Sequence, residues 1–592
     1  MGNGRLQWKW GFCNVFPGED RKRGEALWGM GRKKRLKWPL FWFCIVFCIS
    51  GSGAVFAETG RKAPLNPEFL EYRRSASGIP DANTLAASSR MPTGWIPSPV
   101  DLSHVLPPTS MEDPGKDRVL PPSYDLRDYG YVTPVKDQNP YGTCWAFGAM
   151  ASLESSLLKA GKGTKDLSEW HLAYFAYKDA GDMLTGFTQS RLGVYFDPVF
   201  DQGGEAWMST AILSRWTGAV DEAERPYQNT RPWPEGAAPL SSDPVSVHLE
   251  NVLYLGGTID EKALKNAIMT YGAVVVSIKW DDVNYSPYNE TYASFYVPSA
   301  TAMGGHSVTL AGWNDDFSRY NFNTPAPSNG AWLVKNSWGE KWGDGGYFWL
   351  SYCDPNIKAP AVFLGNDSGN FERIYQYDPL GWTGNFAPVP SETAWFANVF
   401  QASGSSGSDA AEVLKAVSFY AGASNAVYRV EVWTDLFLTS GSPRKGVLAA
   451  EKEGTFAAAG YHTVRFPDIP LQNGSRFAVV VRLTTPGYRY PVPVEMPIAG
   501  YSEKAIAAGG QSFVSSDGKN WSDITVSLPG TNVCIKAFTS DIEKETPPPP
   551  PPSDPGTGSE GGGGGCSAAG TSPLVLALAI PLLFLFRKQT KK

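Results

Sequence analysis

One cysteine lies in a setting that could make it a nucleophile. Cys144 ends the segment Gln138-Asn-Pro-Tyr-Gly-Thr-Cys144, and apolar residues at helical spacing follow it, which predicts a helix over residues 143–160. A thiol in the first turn of a helix lies near backbone N–H groups and the positive end of the helix dipole, which lower its pKa. Gln138, six residues upstream in a turn rich in Pro and Gly, could bring its amide beside the Cys144 backbone N–H. Two such donors would form an oxyanion hole.

A cysteine nucleophile needs a base, and the chain has five His. His306 follows Gly304 and Gly305 and begins a predicted strand over residues 306–313. A lone histidine is more often structural than catalytic, but a third motif, Asn336-Ser-Trp338-Gly, favours catalysis here. An amide oxygen that accepts the imidazole N–H would fix the tautomer of the ring, and a neighbouring indole would shield that contact from water.

Together these segments resemble the papain family of cysteine peptidases. The order of Gln138, Cys144, His306 and Asn336 agrees with the family, as does the spacing of six residues between Gln138 and Cys144. The resemblance implies that Cys144 is the nucleophile, His306 its acid/base partner, Asn336 the residue that orients the histidine and Gln138 an oxyanion donor. Trp338 matches the indole that covers the contact between the histidine and the asparagine.

A glycine pair adds to the resemblance. Gln202-Gly203-Gly204 is similar to the glycine strand that hydrogen-bonds the substrate backbone, so we expect Gly203 and Gly204, with Trp338, to lie at the substrate. Two departures are visible. Tyr141 stands where the family usually has a cysteine paired near the glycine strand, which puts that disulfide in doubt. His306 and Asn336 are 30 residues apart, and we attribute the extra length to a polar loop over residues 315–329.

The resemblance covers about residues 119–360 and implies an α+β fold, with a helical lobe, a β-barrel-like lobe and the active cleft between them. Strand-like runs are predicted at 273–279, 306–313, 331–336 and 347–352. Residues 372–541 show β-type runs between Gly/Ser/Asn-rich turns, which predict an all-β sandwich. In order and strand pattern this part resembles the lectin-like domain that follows such peptidases in bacteria. Residues 58–118 are polar with no helical period and are interpreted as a loosely ordered arm or propiece.

Both ends of the chain have the features of targeting segments. Residues 1–57 contain a basic cluster at 32–37, an apolar run and Ala57, the order of a secretory signal, with Met30 as a candidate true start. Residues 542–565 form a Pro/Gly-rich linker. Residues 566–592 hold Cys566, a short apolar run and a basic end, which resemble a bacterial C-terminal sorting signal with Cys566 as a candidate lipidation site. A plain membrane anchor is the alternative. We expect secretion, and anchoring at a bacterial cell surface or outer membrane.

The leading hypothesis is a surface-displayed endopeptidase that acts on proteins or peptides. The formal net charge is −6 although both ends are basic, so the central part is strongly acidic, which argues against nucleic acid as a partner. We expect no metal and no cofactor, and the β domain is a candidate for carbohydrate binding. Two alternatives stay open: a catalytically silent relative that binds through its cleft, and a Cys-His acyl transferase, which would share the thioester chemistry.

Overall fold

The computed structural model describes residues 60–76, 93–108, 119–181, 185–188, 197–234, 236–257, 259–280, 287–300, 305–403, 412–437 and 441–542. The targeting segments predicted at 1–57 and 566–592, together with Met30, Cys566 and the linker from residue 543 onward, lie outside the described residues. Among the residues that are described, no helix has both the length and the apolar character needed to cross a membrane.

The helices of the described residues are α1 (Pro67–Ala76), α2 (Cys144–Lys159), α3 (Glu169–Tyr177), α4 (Ala206–Ser214), α5 (Glu261–Tyr271) and α6 (Ile524–Ser527). Polar side chains cap the first turns of several of them. Ser168 accepts a hydrogen bond from the His171 N–H at the start of α3, and Asp260 accepts one from the Ala263 N–H at the start of α5. Glu205 accepts from two N–H groups at the start of α4. Such caps satisfy backbone donors that a first helical turn leaves unpaired.

The strands fall into two groups along the chain. Those up to the end of the peptidase-like region are β1 (Arg61–Lys62), β2 (Ser123–Asp125), β3 (Val247–Tyr254), β4 (Val274–Ile278), β5 (Tyr288–Asn289), β6 (Ser294–Phe295), β7 (His306–Asn314), β8 (Ala331–Lys335), β9 (Tyr347–Ser351) and β10 (Lys358–Asp367). Those that follow are β11 (Arg373–Tyr375), β12 (Gly384–Ala387), β13 (Thr393–Gln401), β14 (Glu412–Ala421), β15 (Ala426–Thr434), β16 (Val447–Phe456), β17 (Ala459–Leu471), β18 (Arg476–Thr484), β19 (Val492–Glu495), β20 (Ser512–Ser515), β21 (Ser522–Asp523), β22 (Asn532–Val533) and β23 (Ile535–Asp541).

The peptidase-like region has the two expected lobes. Helices α2, α3 and α4 pack together on one side, and the antiparallel strands β4, β7, β8 and β9 form the other with α5 against them. Strand β4 is buried along its whole length, because α2 and α5 both pack against it. Helix α2 also packs on β7 and β10, so it lies where the lobes meet. The predicted helix and the four predicted strands of this region are confirmed within a residue or two at their ends.

The β-rich region is not a separate body. Strand β17 pairs with β3 through Ala459 and Tyr254, Gly460 and Leu253, and Tyr461 and Val252, so the sheet runs from β11 through β23, β14 and β17 into the peptidase strands β3, β10 and β4. A second sheet, in the order β16-β15-β18-β13-β20-β21, faces it across a shared core in which the Phe396 and Phe419 rings meet at 6.4 Å. The β-sandwich prediction is confirmed, and the sandwich extends the peptidase sheet.

The arm is more ordered than its sequence predicts. Strand β1 pairs with β12 of the β domain, and α1 buries Phe69 edge-on against the ring of Tyr501 at 5.7 Å. His104 stacks on Tyr488 at 3.8 Å. The expectation of loose order is therefore wrong for residues 60–76 and 93–108, because contacts with the folded body, and not a periodic pattern of their own, fix these segments.

Candidate active site

Cys144 is the first residue of α2 and is fully buried. Its Sγ accepts a hydrogen bond from the backbone N–H of Ser307 at 3.4 Å. Since Ser307 directly follows His306, this contact brings the first turn of α2 against the first residues of β7. The predicted nucleophile thus contacts the residue next to the predicted base, at the boundary between the two lobes.

His306 is also fully buried, and its two ring nitrogens have different surroundings. Nε2 lies 2.7 Å from Oδ1 of Asn336. Because an amide oxygen only accepts, this contact places the ring proton on Nε2 and leaves Nδ1 as the nitrogen that can exchange a proton with a thiol. Nδ1 has no hydrogen-bond partner within the described part of the chain. The Trp338 ring stacks on the imidazole at 4.4 Å and 15°. Trp338 thus covers the contact between the histidine and the asparagine.

Gln138 is fully buried in the turn that leads to Cys144. Its side-chain N–H donates to the carbonyl of Tyr141 at 2.9 Å, and its side-chain oxygen accepts from the Ser337 hydroxyl at 2.6 Å. The Gln138 backbone N–H donates to the Ser337 carbonyl at 2.8 Å. The amide is therefore oriented by residues that flank Cys144 and Asn336.

A polar linkage stands where the family usually has a disulfide. Among the described cysteines none is paired, and the chain around Tyr141 is held to the glycine segment by Asp201 instead. Asp201 accepts from the Gly142 N–H at 3.0 Å and from the Arg231 guanidinium at 2.8 Å. That guanidinium lies over the Tyr141 ring at 4.5 Å. Asp201 is two residues before Gly203, so this linkage fixes the glycine segment relative to the turn before Cys144.

Gly203 and Gly204 occupy positions where a side chain does not fit. Gly203 has φ +81°, the left-handed region, and a Cβ on Gly204 would lie 2.3 Å from the Trp145 ring. Both backbone groups of Gly204 form hydrogen bonds. Its N–H donates to the carbonyl of Gly94 at 2.9 Å, and its carbonyl accepts from the backbone N–H of Ile96 at 3.1 Å. The partner strand is the arm.

The arm crosses the cleft directly over the sulfur. The backbone of Trp95 forms a parallel β-bridge with Gly204 and an antiparallel β-bridge with Gly305. The backbone N–H of Gly94 lies against the Cys144 thiol. A Cβ on Gly94 would lie 1.8 Å from the Gly142 carbonyl oxygen, so only glycine passes here. Sequence reasoning missed this contact, because Gly94 lies in a stretch without periodicity and nothing local marks it.

Burial favours the uncharged forms of the Cys144 thiol and the His306 imidazole. It raises the pKa of the Cys144 thiol to about 11, although the N–H groups of Ser307 and Gly94 act in the opposite direction. It lowers the pKa of His306 to about 4, against the effect of the hydrogen bond with Asn336. Near neutral pH the pair is therefore a neutral thiol and a neutral imidazole while the arm lies over it.

A buried ionic cluster lies behind the site. Lys136 contacts Glu154 of α2 at 3.1 Å and Glu169 of α3 at 2.9 Å. Lys335, the neighbour of Asn336, donates to the Thr133 hydroxyl at 3.0 Å, and that hydroxyl donates to Glu154. Burial lowers the pKa of Lys335 to about 8. The cluster links the segment before Gln138, the Cys144 helix and the Asn336 strand, and none of it was identified from the sequence.

Comparison with known protein families agrees with this geometry. Residues 120–359 match the model of the papain family cysteine protease, and residues 374–539 match the lectin like domain. The chain is 30% identical over 229 residues to a viral cathepsin from Heliothis zea nuclear polyhedrosis virus, a match that covers 38% of this chain and 52% of that protein. It is 31% identical over 232 residues to cathepsin L2 from Homo sapiens, covering 38% of this chain and 60% of that protein. The chain thus spans about half to three-fifths of the length of these curated relatives.

Solved structures extend the likeness to both domains. The crystal structure of the cysteine protease and lectin-like domains of Cwp84, a surface layer associated protein of Clostridium difficile, matches 82% of this chain and 99% of that one, at 25% identity and a TM-score of 0.65. A second structure, of a variant of the clostridial cysteine protease Cwp84 after propeptide cleavage, matches 71% of this chain and 99% of that one, at 27% identity and a TM-score of 0.60.

Residues 120–359 thus form a domain with the fold of a papain-type cysteine peptidase. More particularly, the chain carries a papain family C1 cysteine peptidase domain, followed by a β-rich lectin-like domain. The α+β fold class predicted from the sequence is confirmed.

Proposed function

We propose that this chain is a secreted cysteine endopeptidase that hydrolyses peptide bonds through a thioester on Cys144. The observation that carries the proposal is the placement of the sulfur at the start of α2, where it accepts from the N–H of Ser307, next in the chain to a histidine whose Nε2 contacts Asn336. The papain-family match of the surrounding domain supports it.

The proposed reaction uses groups of the chain together with one water molecule. The Cys144 sulfur attacks the carbonyl carbon of the substrate, and the thiol proton passes to Nδ1 of His306. The histidine then gives this proton to the leaving amine as the C–N bond breaks, which leaves a thioester. Water then attacks the thioester carbonyl carbon while His306 takes a proton from the water. The C–S bond breaks, the acyl part of the substrate leaves as a carboxylic acid, and His306 gives its proton back to the sulfur. Gln138 and the Cys144 backbone N–H stabilise the tetrahedral oxyanion, and Asn336 keeps the imidazole in the required tautomer.

Residues 58–118 act as an inhibitory propiece in this proposal. The arm presents the N–H of Gly94 to the sulfur, and the Gly94 carbonyl is held by the Gly204 N–H, so its carbon is not offered for attack. The arm also fills the backbone positions on Gly204 and Gly305 that an extended substrate would need. Removal of the arm opens the cleft and exposes the Cys144–His306 pair to water, which favours the charged thiolate–imidazolium form.

The location and the second domain complete the proposal. The signal-like region 1–57 and the tail 566–592 support secretion followed by anchoring at a bacterial cell surface, with Cys566 as the lipidation candidate. The structural neighbour Cwp84 is a surface layer associated protein, which fits such a location. The lectin-like domain supports carbohydrate as a second ligand of the chain.

A peptidyl epoxide tests the catalytic part. The full chain is processed to remove the arm, treated with the epoxide and mapped by peptide mass spectrometry. We expect modification at Cys144 with complete loss of turnover, while Cys353 and Cys534 remain unmodified as internal controls. A processed, folded protein that neither turns over peptides nor reacts at Cys144 would contradict the proposal.

A further inference from the structure

We propose that Lys358 binds an acidic side chain of the peptide substrate, in the place that Glu68 of the arm takes in the latent chain. The inference rests on the proposed peptidase function and concerns which peptides the cleft accepts. It is carried by a cavity beside the glycine segment, by the charges that line this cavity and by the partner that Lys358 has there.

A cavity of about 550 Å³ adjoins the glycine segment. Trp207, Tyr254 and Pro360 of the folded body form an apolar wall, with the rings of Trp207 and Tyr254 stacked at 4.3 Å. The arm supplies the other wall, including Trp95, which pairs with Gly204. A peptide that replaces the arm on Gly204 therefore directs side chains into this space.

Two carboxylates of the folded body that line the cavity are already engaged. Glu205 accepts from the backbone N–H groups of Trp207 and Met208 and from the Tyr501 hydroxyl. Asp354 accepts from the backbone N–H groups of Val297 and Asn356. Neither carboxylate therefore needs a cationic group of the substrate as a partner.

Lys358 is the one cationic side chain among the described residues that line the cavity. Its ammonium group pairs with Glu68 of α1, with 31% of the lysine side chain exposed. The arm adds a second acid, Asp101, to the same lining. When the arm leaves, both of its carboxylates leave with it, and a cation remains beside an apolar wall. Such a cation attracts an anionic group more strongly than one in open water.

Matched peptides test this on the full chain after processing has removed the arm. Each pair carries Glu or Gln at one of the three positions on either side of the cleaved bond, and kcat/KM is measured for both members. At one position we expect wild type to prefer Glu by about 5-fold, the size of a partly exposed ion pair. The preference should shrink when ionic strength rises from about 0.05 M to about 0.5 M, because salt screens such pairs.

Variants assign the preference to the lysine. Lys358→Met should bring the Glu/Gln ratio close to one, Lys358→Arg should retain it, and Lys358→Glu should favour Lys over Gln at the same position. Lys262→Met, at an exposed lysine of α5, is the matched control and should leave the ratio unchanged.

If the wild-type enzyme shows a Glu/Gln ratio of one at every position, the proposal is overturned without any variant. A preference for Glu that persists in Lys358→Met would also overturn it. Failure of the peptidase function itself looks different, because then neither member of any pair is cleaved and Cys144 is not labelled by the epoxide.

Discussion

The hydroxyl group of Tyr501, in the β domain, donates a hydrogen bond to the buried carboxylate of Glu205, in the peptidase domain. Glu205 directly follows Gly204 and caps α4, so a residue of the second domain supports the segment that pairs with the arm. The two domains are therefore joined next to the glycine segment as well as through the shared sheet.

Replacing Tyr501 should make stability more dependent on pH. Burial raises the pKa of Glu205 to about 7, and the tyrosine hydroxyl partly offsets this. A carboxyl whose pKa is raised by folding costs stability as pH rises from its ordinary value through the folded one. Tyr501→Phe should thus lower the free energy of unfolding by about 1–3 kcal/mol at pH 8 and by less at pH 5. Urea unfolding measures this, with Tyr320→Phe at an exposed ring as control. Equal losses at both pH values would contradict the role given to the hydroxyl.

Gly94→Ala should release the latent cleft. A Cβ at this position would lie 1.8 Å from the Gly142 carbonyl oxygen, so the arm cannot keep its place over the sulfur. Steric overpacking costs about 1–3 kcal/mol, so the unprocessed chain should gain about 5- to 150-fold in peptide turnover. The initial rate before any processing measures this, and Gly369→Ala, where a Cβ would meet nothing within 4 Å, is the control. Unchanged latency in Gly94→Ala would show that the arm does not inhibit through this contact.

Acid should loosen the arm. Burial lowers the pKa of His306 to about 4 and also lowers the pKa of His104, which stacks on Tyr488. Release of the arm returns both towards their ordinary value of 6.5, so the released state binds more protons between about pH 6.5 and 4. The docked arm is therefore favoured above this window, and its stability is lost as pH falls through it.

Hydrogen exchange in the Cys144→Ala chain measures this release without self-processing. Protection of residues 93–108, corrected for the intrinsic exchange rate at each pH, should fall between pH 7 and pH 4.5 before protection of α2 does. Burial also lowers the pKa of His462, in the β domain, to about 4, so acid destabilises the body of the protein as well. Exchange in the body is therefore the internal reference for general acid unfolding. Simultaneous exposure of arm and body would contradict a specific release.

Asp201→Ala should weaken substrate binding more than turnover. The carboxylate joins Gly142 to Arg231 and holds the glycine segment against the turn before Cys144. Without it we expect KM to rise by about 10-fold, because charge-assisted hydrogen bonds position that backbone, while kcat changes less. Steady-state kinetics on one fluorogenic peptide measure both, with the exposed Asp316→Ala as control. A loss confined to kcat would place Asp201 in the chemical step instead.

Sequence motifs identified the parts of the site whose chemistry depends on residue type. The Cys144 and Asn336 segments predicted a nucleophile and an orienting amide, and the helix and strands that carry them form as expected. The contact of Gly94 with the sulfur and the pairing of β17 with β3 could not be predicted in this way. Both contacts join segments that are far apart in the chain, and both are made by backbone groups, which every residue carries. The pattern of side chains along the sequence therefore does not indicate them. The pair of Asp201 and Arg231 replaces a disulfide by polar contacts that have no fixed spacing.

The kinetics of four variants test the central claim most directly. Turnover of one fluorogenic peptide is measured for the processed wild type and for Cys144→Ala, His306→Ala, Gln138→Ala and Asn336→Ala, with circular dichroism to verify folding. The account predicts no turnover for Cys144→Ala, nearly none for His306→Ala, a fall in kcat of about 10²–10³-fold for Gln138→Ala, and a partial loss for Asn336→Ala. Wild-type turnover in a folded Cys144→Ala protein would contradict it.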